Sequence, residues 1–319
     1  MTKHVYGGAS FSSMGAFQDS EGQAEVLSIL LANGVTNIDT ARIYQGSEEA
    51  IGKLSKRTEF VIDTKLAGGF MPGTLPDAVA DAKASLETVK IPQFDILYIH
   101  APDASVPLEQ TLSNINAVHK AGIFRRFGLS NYSVDDVQKV YDHCKENSFV
   151  LPTVYQGNYN PVARHYDTQL FPTLRRLGIA FYAYSPLAGG FLTKTTADID
   201  AGVGRFGAEA LGGLYKALYD KPSLRQALAQ WNEAAQKEGV AKAELAYRWV
   251  AYHSALKEDQ GDAVIFGASS VRQIEQTLQG LKKGPLSEEA VRAIEGIWES
   301  VKKDAPVDNY TASVELKKK

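Results

Sequence analysis

About eight short apolar runs recur along the chain, and most close on a side chain able to do polar chemistry. They fall at residues 4–10, 36–40, 60–65, 94–100, 126–131, 153–159, 179–185 and 263–269. Their closing residues include Asp39, Lys65, His100, Ser130, Asn131, Gln156, Tyr184 and Ser269. Parallel strands closed into a barrel gather their carboxyl ends on one rim, so such residues would converge there.

Segments of helical period separate the runs. Residues 22–33 carry Ala24, Leu27, Leu30 and Leu31 on one face and stop at Gly34. The pattern repeats at residues 76–89, 108–121, 134–147 and 169–177, with Gly122, Gly178, Pro92 or Pro152 after several of them. Strand–helix alternation predicts right-handed crossovers and an α/β fold with a parallel sheet. With about eight units the expectation is a (β/α)8 barrel, one domain over residues 1–319. The regularity breaks after strand seven. Residues 189–222 form a long glycine-rich insertion with weak helical period, read as a lid or cofactor strap or as a decoration without a role. Helices are expected at 223–238, 242–252, 271–280 and 287–303, and residues 305–319 read as a solvated, partly disordered tail.

Bulk properties exclude more than they identify. Apolar content of 44% and charged content of 22% are those of an ordinary soluble protein. A net charge of −3 gives no electrostatic case for nucleic acid or an anionic membrane. The lone cysteine, Cys144, has no internal disulfide partner and sits in a helical stretch as a packing or surface thiol. No apolar leader and no membrane-length apolar stretch is present, so a cytoplasmic protein is the default. The other histidines show no ligand spacing, and no metal site is expected.

Asp39 and Tyr44 lie five residues apart at the end of strand two, and period-two alternation puts Asp63 with Lys65, and Tyr98 with His100, on single faces of their strands. An ammonium, an imidazole, a carboxylate and a phenol in one pocket suit delivery of a proton to a carbonyl oxygen. The lysine cation would lower the phenol pKa, the carboxylate would hold the lysine, and the histidine would orient the carbonyl. Such a site supplies an acid and no reductant, which points to a nicotinamide cofactor. Asp63 complicates the picture, because facing inward it would give Lys65 a second carboxylate.

Asp39, Tyr44, Lys65 and His100, in that order, resemble the tetrad of the aldo-keto reductases. FDILYIHAPD (94–103), FGLSNY (127–132), LPTVYQGNYNP (151–161), FYAYSPLAGGFLT (181–193), GRF (204–206) and DAVIFGASS (262–270) are similar to the aflatoxin-aldehyde reductase branch. The resemblance implies an NADPH-dependent reductase of aldehydes, ketones or quinones with Tyr44 as proton donor and Tyr44, His100 and Tyr215 facing substrate. It implies that Ser130, Asn131 and Gln156 bond the nicotinamide carboxamide, that Tyr184 stacks on its ring, and that Asp39 borders it. Ser185, Leu187, Gly189, Gly190 and Lys194 would wrap the pyrophosphate. Arg205, Gly267, Ser269, Ser270, Gln273 and Thr277 would hold the rest of the cofactor. Members of the branch are often dimers, so a homodimer is one expectation.

Departures matter too. Thr277 stands where the branch usually has asparagine, and Arg272 where it often has an acidic residue. Arg272 either reaches a 2′-phosphate or is a solvated helix residue. Two arginines that grip acidic substrates are replaced, by Leu218 and within Asn309–Tyr310–Thr311–Ala312. Neutral carbonyls are therefore expected to be better substrates than carboxylated ones. Two other readings stand beside the reductase: a non-catalytic NADPH-bound regulatory subunit, and a Schiff-base lyase using Lys65. A lyase needs a neutral, desolvated lysine, which Asp39 and Asp63 oppose.

Overall fold

The computed structural model describes residues 2–207 and 210–318. Eight parallel strands close into a barrel in sequence order: β1 (Lys3–Gly7), β2 (Asn37–Asp39), β3 (Val61–Leu66), β4 (Phe94–Ile99), β5 (Phe124–Ser130), β6 (Pro152–Asn158), β7 (Ala180–Tyr184) and β8 (Ala263–Phe266). This is the (β/α)8 architecture that the alternation of apolar runs and helical periods implies. Between the strands run α1 (Ser20–Ala32), α2 (Ser47–Lys53), α3 (Ala78–Val89), α4 (Leu108–Lys120), α5 (Val134–Glu146), α6 (Tyr166–Gln169) and α7 (Phe171–Leu177). After β7 come α8 (Thr196–Asp200), α9 (Leu214–Tyr219), α10 (Pro222–Glu238) and α11 (Lys242–Tyr252). After β8 come α12 (Val271–Leu281), α13 (Glu288–Val301) and α14 (Asn309–Lys317).

Two apolar clusters follow from strand alternation. Val5, Ile96, Tyr98, Val154, Ala180, Tyr182, Ala263 and Ile265 fill the barrel interior, while the outward-facing strand residues join the helices in a larger shell. The interior plug is largely apolar, with the Asp63 carboxyl and the Tyr98 and Tyr182 phenols among its residues. Register then decides which polar residues meet. Asp39 pairs with Asp63 across β2 and β3, Lys65 with Tyr98 across β3 and β4, and Ser130 with Gln156 across β5 and β6.

Four details depart from the sequence expectations. The first strand stops at Gly7, because Gly8–Phe11 turn into a short 3-10 helix in which Ser10 donates to the Tyr6 hydroxyl and the Gly7 carbonyl. The insertion is built of short helical turns, including α8 with a Thr195 capping box; Ala208 and Glu209 within it lie outside the described residues. The segment read as a disordered tail forms α14, capped by Asp308, whose carboxylate accepts from the Thr311 amide at 2.6 Å and its hydroxyl at 3.0 Å. Lys319 lies outside the described residues. Helix α2 has no counterpart in the periodicity, since its seven residues are too few to display one. Cys144 is fully buried in α5, and burial pushes its thiol up to about 12. Among the described residues no helix is long and apolar enough to cross a membrane.

Closure on the β7 side depends on one buried carboxylate. Asp262 accepts from the Phe181 amide at 2.7 Å, the Lys257 amide at 2.7 Å and the Arg175 guanidinium, tying α7, β7 and the approach to β8 together. Replacing Asp262 by Ala would strand those donors. The expected loss is about 3 kcal/mol, read as a lower urea midpoint at constant denaturant slope; an unchanged midpoint would show that the tie is dispensable.

Candidate active site

The strand ends assemble a compact polar group at the carboxyl rim of the barrel. Lys65, from β3, is fully buried, and its ammonium lies 2.6 Å from Asp39 Oδ2 and 2.7 Å from the Thr40 carbonyl oxygen. The other Asp39 oxygen accepts from Gln156 Nε2 at 2.9 Å, across the barrel from β6. Tyr44 reaches over this pair from the loop before α2, with the Lys65 ammonium 5.4 Å from its ring centre. That loop is fixed because Ser47 donates to the Gly8 carbonyl at 2.8 Å while Glu48 accepts from Thr64 at 2.6 Å and from Ser85 at 3.0 Å. His100 closes β4, its ring edge-on to Tyr44 at 5.7 Å. Asp39, Lys65 and His100 from successive strand ends and Tyr44 from the loop after β2 therefore share one pocket.

Electrostatics differ from the expected pattern at Tyr44. Burial raises its pKa far above the ordinary phenol value; Asp39 and Tyr215 push the same way, and Arg205 is the cation acting against them. The resting phenol thus keeps its proton instead of being acidified by Lys65. His100 is driven well below the usual imidazole value by burial and by the Lys65 charge, so its ring is neutral. Asp63 faces the barrel interior with no exposure, and its Oδ1 accepts from the Ile96 amide at 3.1 Å. Burial, then the Asp39 and Asp95 charges, hold its carboxyl well above the usual range, favouring the neutral acid. Lys65 gives its hydrogen bonds to Asp39 and Thr40 instead, which removes the concern about a second carboxylate.

The residues expected to hold a nicotinamide cofactor line the same rim. Ser130 and Gln156 are buried neighbours, and Gln156 spends only its amide nitrogen on Asp39. Asn131 also makes contacts within the rim. Its Nδ2 donates to the His100 carbonyl at 2.8 Å and to Ser130 Oγ at 3.1 Å, and its Oδ1 accepts from the Tyr184 hydroxyl at 2.9 Å. The Asn131 amide therefore orders Ser130 and Tyr184. After Tyr184 the chain bends sharply, with positive φ at Ser185 (55°), Ala188 (53°), Gly189 (67°) and Gly190 (100°). A left-handed bend of this kind can turn backbone N–H groups toward a phosphate. At Gly189 a side chain is barred twice, by its φ and by the Tyr215 ring 1.9 Å from where a Cβ would sit. Leu187 accepts from the Gly190 amide at 2.9 Å within this bend, and the Lys194 carbonyl accepts from the Lys242 ammonium at 2.9 Å below it. Arg205 is exposed and donates to the Tyr215 hydroxyl at 3.0 Å.

At the far end, Ser270 caps α12 by accepting from the Gln273 amide, and Gln273 Oε1 accepts from the Ser269 amide at 2.9 Å and hydroxyl at 3.0 Å. Gly267 is exposed beside them, Arg272 stands exposed on the first turn, and Thr277 is buried. The side-chain donors, the left-handed bend after Tyr184 and the α12 N-terminus together fit a dinucleotide. Two aromatic residues that strand-end reasoning did not single out complete the pocket. Phe70 packs edge-on to His100 at 4.8 Å and to Tyr310 at 5.1 Å. The signal for Phe70 was weak, an aromatic after Gly68–Gly69 beyond the β3 lysine.

Residues 4–299 match the family model described as Aldo/keto reductase family. The chain is an aldo/keto reductase. It is 42% identical over 316 residues to "Oxidoreductase sirO" of Leptosphaeria maculans, covering 95% of each chain. It is 37% identical over 313 residues to both "Aldo-keto reductase family 7 member A3" and "Aflatoxin B1 aldehyde reductase member 4" of Homo sapiens, covering 93% of this chain and 94% of each relative. The resemblance to the aflatoxin-aldehyde reductase branch is thereby borne out. Membership makes this reductase an oxidoreductase acting on carbonyl groups, in a family generally dependent on nicotinamide dinucleotides.

The Lys65–Asp39 pair also makes a stability prediction. Lys65→Met leaves the Asp39 carboxylate buried and short of its cation, and should cost about 3–5 kcal/mol. Adding Asp39→Asn to that variant should recover most of the loss. A urea midpoint unchanged in Lys65→Met would mean that the pair does not hold the rim.

Proposed function

We propose that this protein reduces uncharged aldehydes, ketones or quinones with NADPH, and that Tyr44 donates the proton. The observation that carries the reading is the buried Lys65–Asp39 pair beneath a proton-bearing phenol and beside a neutral imidazole. When bound, the cofactor supplies a hydride to the carbonyl carbon, and the C=O electron pair moves onto oxygen.

The chain's own groups then manage the charge that develops. His100, neutral, can donate to the carbonyl oxygen and fix its orientation. Tyr44 transfers its proton to that oxygen, and the phenolate left behind faces the Lys65 ammonium, which favours it only once it forms. Asp39 holds the Lys65 side chain in place. A cation held this tightly cannot serve as a Schiff-base amine, which argues against a lyase.

Substrate charge follows from what lines the mouth. Leu218 is buried in the core, and Thr311 and Ala312 occupy the first turn of α14, so neither of these positions presents a guanidinium to a carboxylate. On this reading Arg272, exposed beside the α12 N-terminus, favours the 2′-phosphate of NADPH over NADH.

The direct test is Tyr44→Phe. Reduction of 4-nitrobenzaldehyde, followed as loss of NADPH absorbance, should fall by about 10²–10⁴-fold while NADPH binding stays near that of the unaltered enzyme. Full activity in this variant would refute the proton-donor role. A second measurement compares a carboxylated aldehyde with its methyl ester: the ester should show the lower KM, and the reverse order would overturn the preference for neutral carbonyls.

A further inference from the structure

The polypeptide after α13 crosses back over the rim and touches both sides of the pocket. The Asn309 amide donates to the Tyr184 hydroxyl at 3.3 Å, and that hydroxyl in turn donates to Asn131 Oδ1 at 2.9 Å. Asn131 donates to the carbonyl of His100 at 2.8 Å. Phe70 stands edge-on to the His100 ring at 4.8 Å and to the Tyr310 ring at 5.1 Å. Tyr310 follows Asn309 directly, so these contacts close a circuit: Asn309, Tyr184, Asn131, His100, Phe70, Tyr310.

Two further observations show that the segment is seated and not merely adjacent. Tyr310 donates to the Pro102 carbonyl at 3.2 Å, and its hydroxyl lies 2.3 Å from where a Cβ on Gly69 would stand, so that seat exists only because residue 69 is glycine. The segment also lines a cavity of about 600 Å³ together with Pro102, Asn131, Tyr132 and Tyr166. Residues 308–311 are thus held by the circuit contacts, the Tyr310–Pro102 hydrogen bond, the Asp308 cap and the packing of α14 on α9.

We infer that Asn309 and Tyr310 are positioning residues that couple the two halves of the site, so that the platform for the nicotinamide and the wall for the carbonyl are held by one segment. The inference rests on the proposed role of Tyr184 as that platform. Its consequence crosses the pocket. A change at Tyr310, which touches the carbonyl wall, should weaken cofactor binding, and a change at the Asn309 amide should raise the KM for the carbonyl.

The fold offers a clean way to cut the circuit. Asn309 is the first residue of α14, where proline is well tolerated, and Asp308 before it is extended (φ −145°, ψ 167°), as a residue preceding proline must be. Asn309→Pro therefore removes a single N–H, whereas Asn309→Ala retains it. Tyr310→Ala removes the ring, whereas Tyr310→Phe retains its packing on Phe70. NADPH affinity is read from quenching of protein fluorescence, and KM and kcat from 4-nitrobenzaldehyde reduction. Asn309→Pro and Tyr310→Ala should each change both the NADPH Kd and the carbonyl KM by about fivefold or more, with Asn309→Ala and Tyr310→Phe close to the unaltered enzyme. The double variant should lose little beyond the worse single, because both cut one circuit. Tyr310→Ala altering only the carbonyl KM, with Asn309→Pro altering only the NADPH Kd, would overturn the coupling; if the proline variant does not fold, an unchanged NADPH Kd in Tyr310→Ala does so alone. Tyr184→Ala separates the two levels: unchanged NADPH binding there would fail the platform reading itself, and weakened binding there beside a normal Tyr310→Ala would fail only the coupling.

Discussion

The ion pair between Lys65 and Asp39 is the interaction on which the rim of this barrel depends. Bringing an ammonium into a protein interior costs several kcal/mol unless its protons find fixed acceptors. Here two acceptors, the Asp39 carboxylate and the Thr40 carbonyl, come from β2 and the residue after it, next to the strand that carries the lysine. Gln156 saturates the opposite oxygen of Asp39 from across the barrel. The positive charge is therefore located by strand register, not by a flexible side chain searching for a partner.

Around that fixed charge, burial drives the other groups toward neutrality. Tyr44 holds its proton, His100 sheds its own, and Asp63 beneath them favours the acid form. A site containing one compensated pair among neutral groups is poised for charge that appears only during reaction, since nothing must reorganise when a carbonyl oxygen becomes negative. It also explains why Lys65 need not acidify the resting phenol. In the proposed mechanism its cation would act on the phenolate, which forms only after the proton has left.

The sequence made some of this legible and hid the rest, for physical reasons. Strand ends are local: an apolar run followed by Asp39, Lys65 or His100 announces both the strand and the rim residue, and parallel closure brings them together without knowledge of any contact. Short or polar elements carry no such period. Helix α2 has seven residues, and α14 buries too little apolar surface to register as amphipathic, although its Asp308 cap was visible in retrospect. Side-chain commitments were the least readable. Asn131 donates to the His100 carbonyl and to Ser130 and accepts from Tyr184, contacts fixed by three strand ends at once and invisible in its own local sequence. The upward shift of Tyr44 was equally hidden, because burial dominates it and burial depends on how the loop before α2 packs.

The account is tested most directly by a crystal structure of the enzyme with NADP+ and an unreactive carbonyl compound bound. It predicts the nicotinamide ring against Tyr184 and the carbonyl oxygen within hydrogen-bonding distance of both the Tyr44 hydroxyl and the His100 imidazole, with the Lys65 ammonium on the opposite side of the phenol. A carbonyl oxygen lodged away from Tyr44, or a nicotinamide that leaves Tyr184 uncovered, would contradict it.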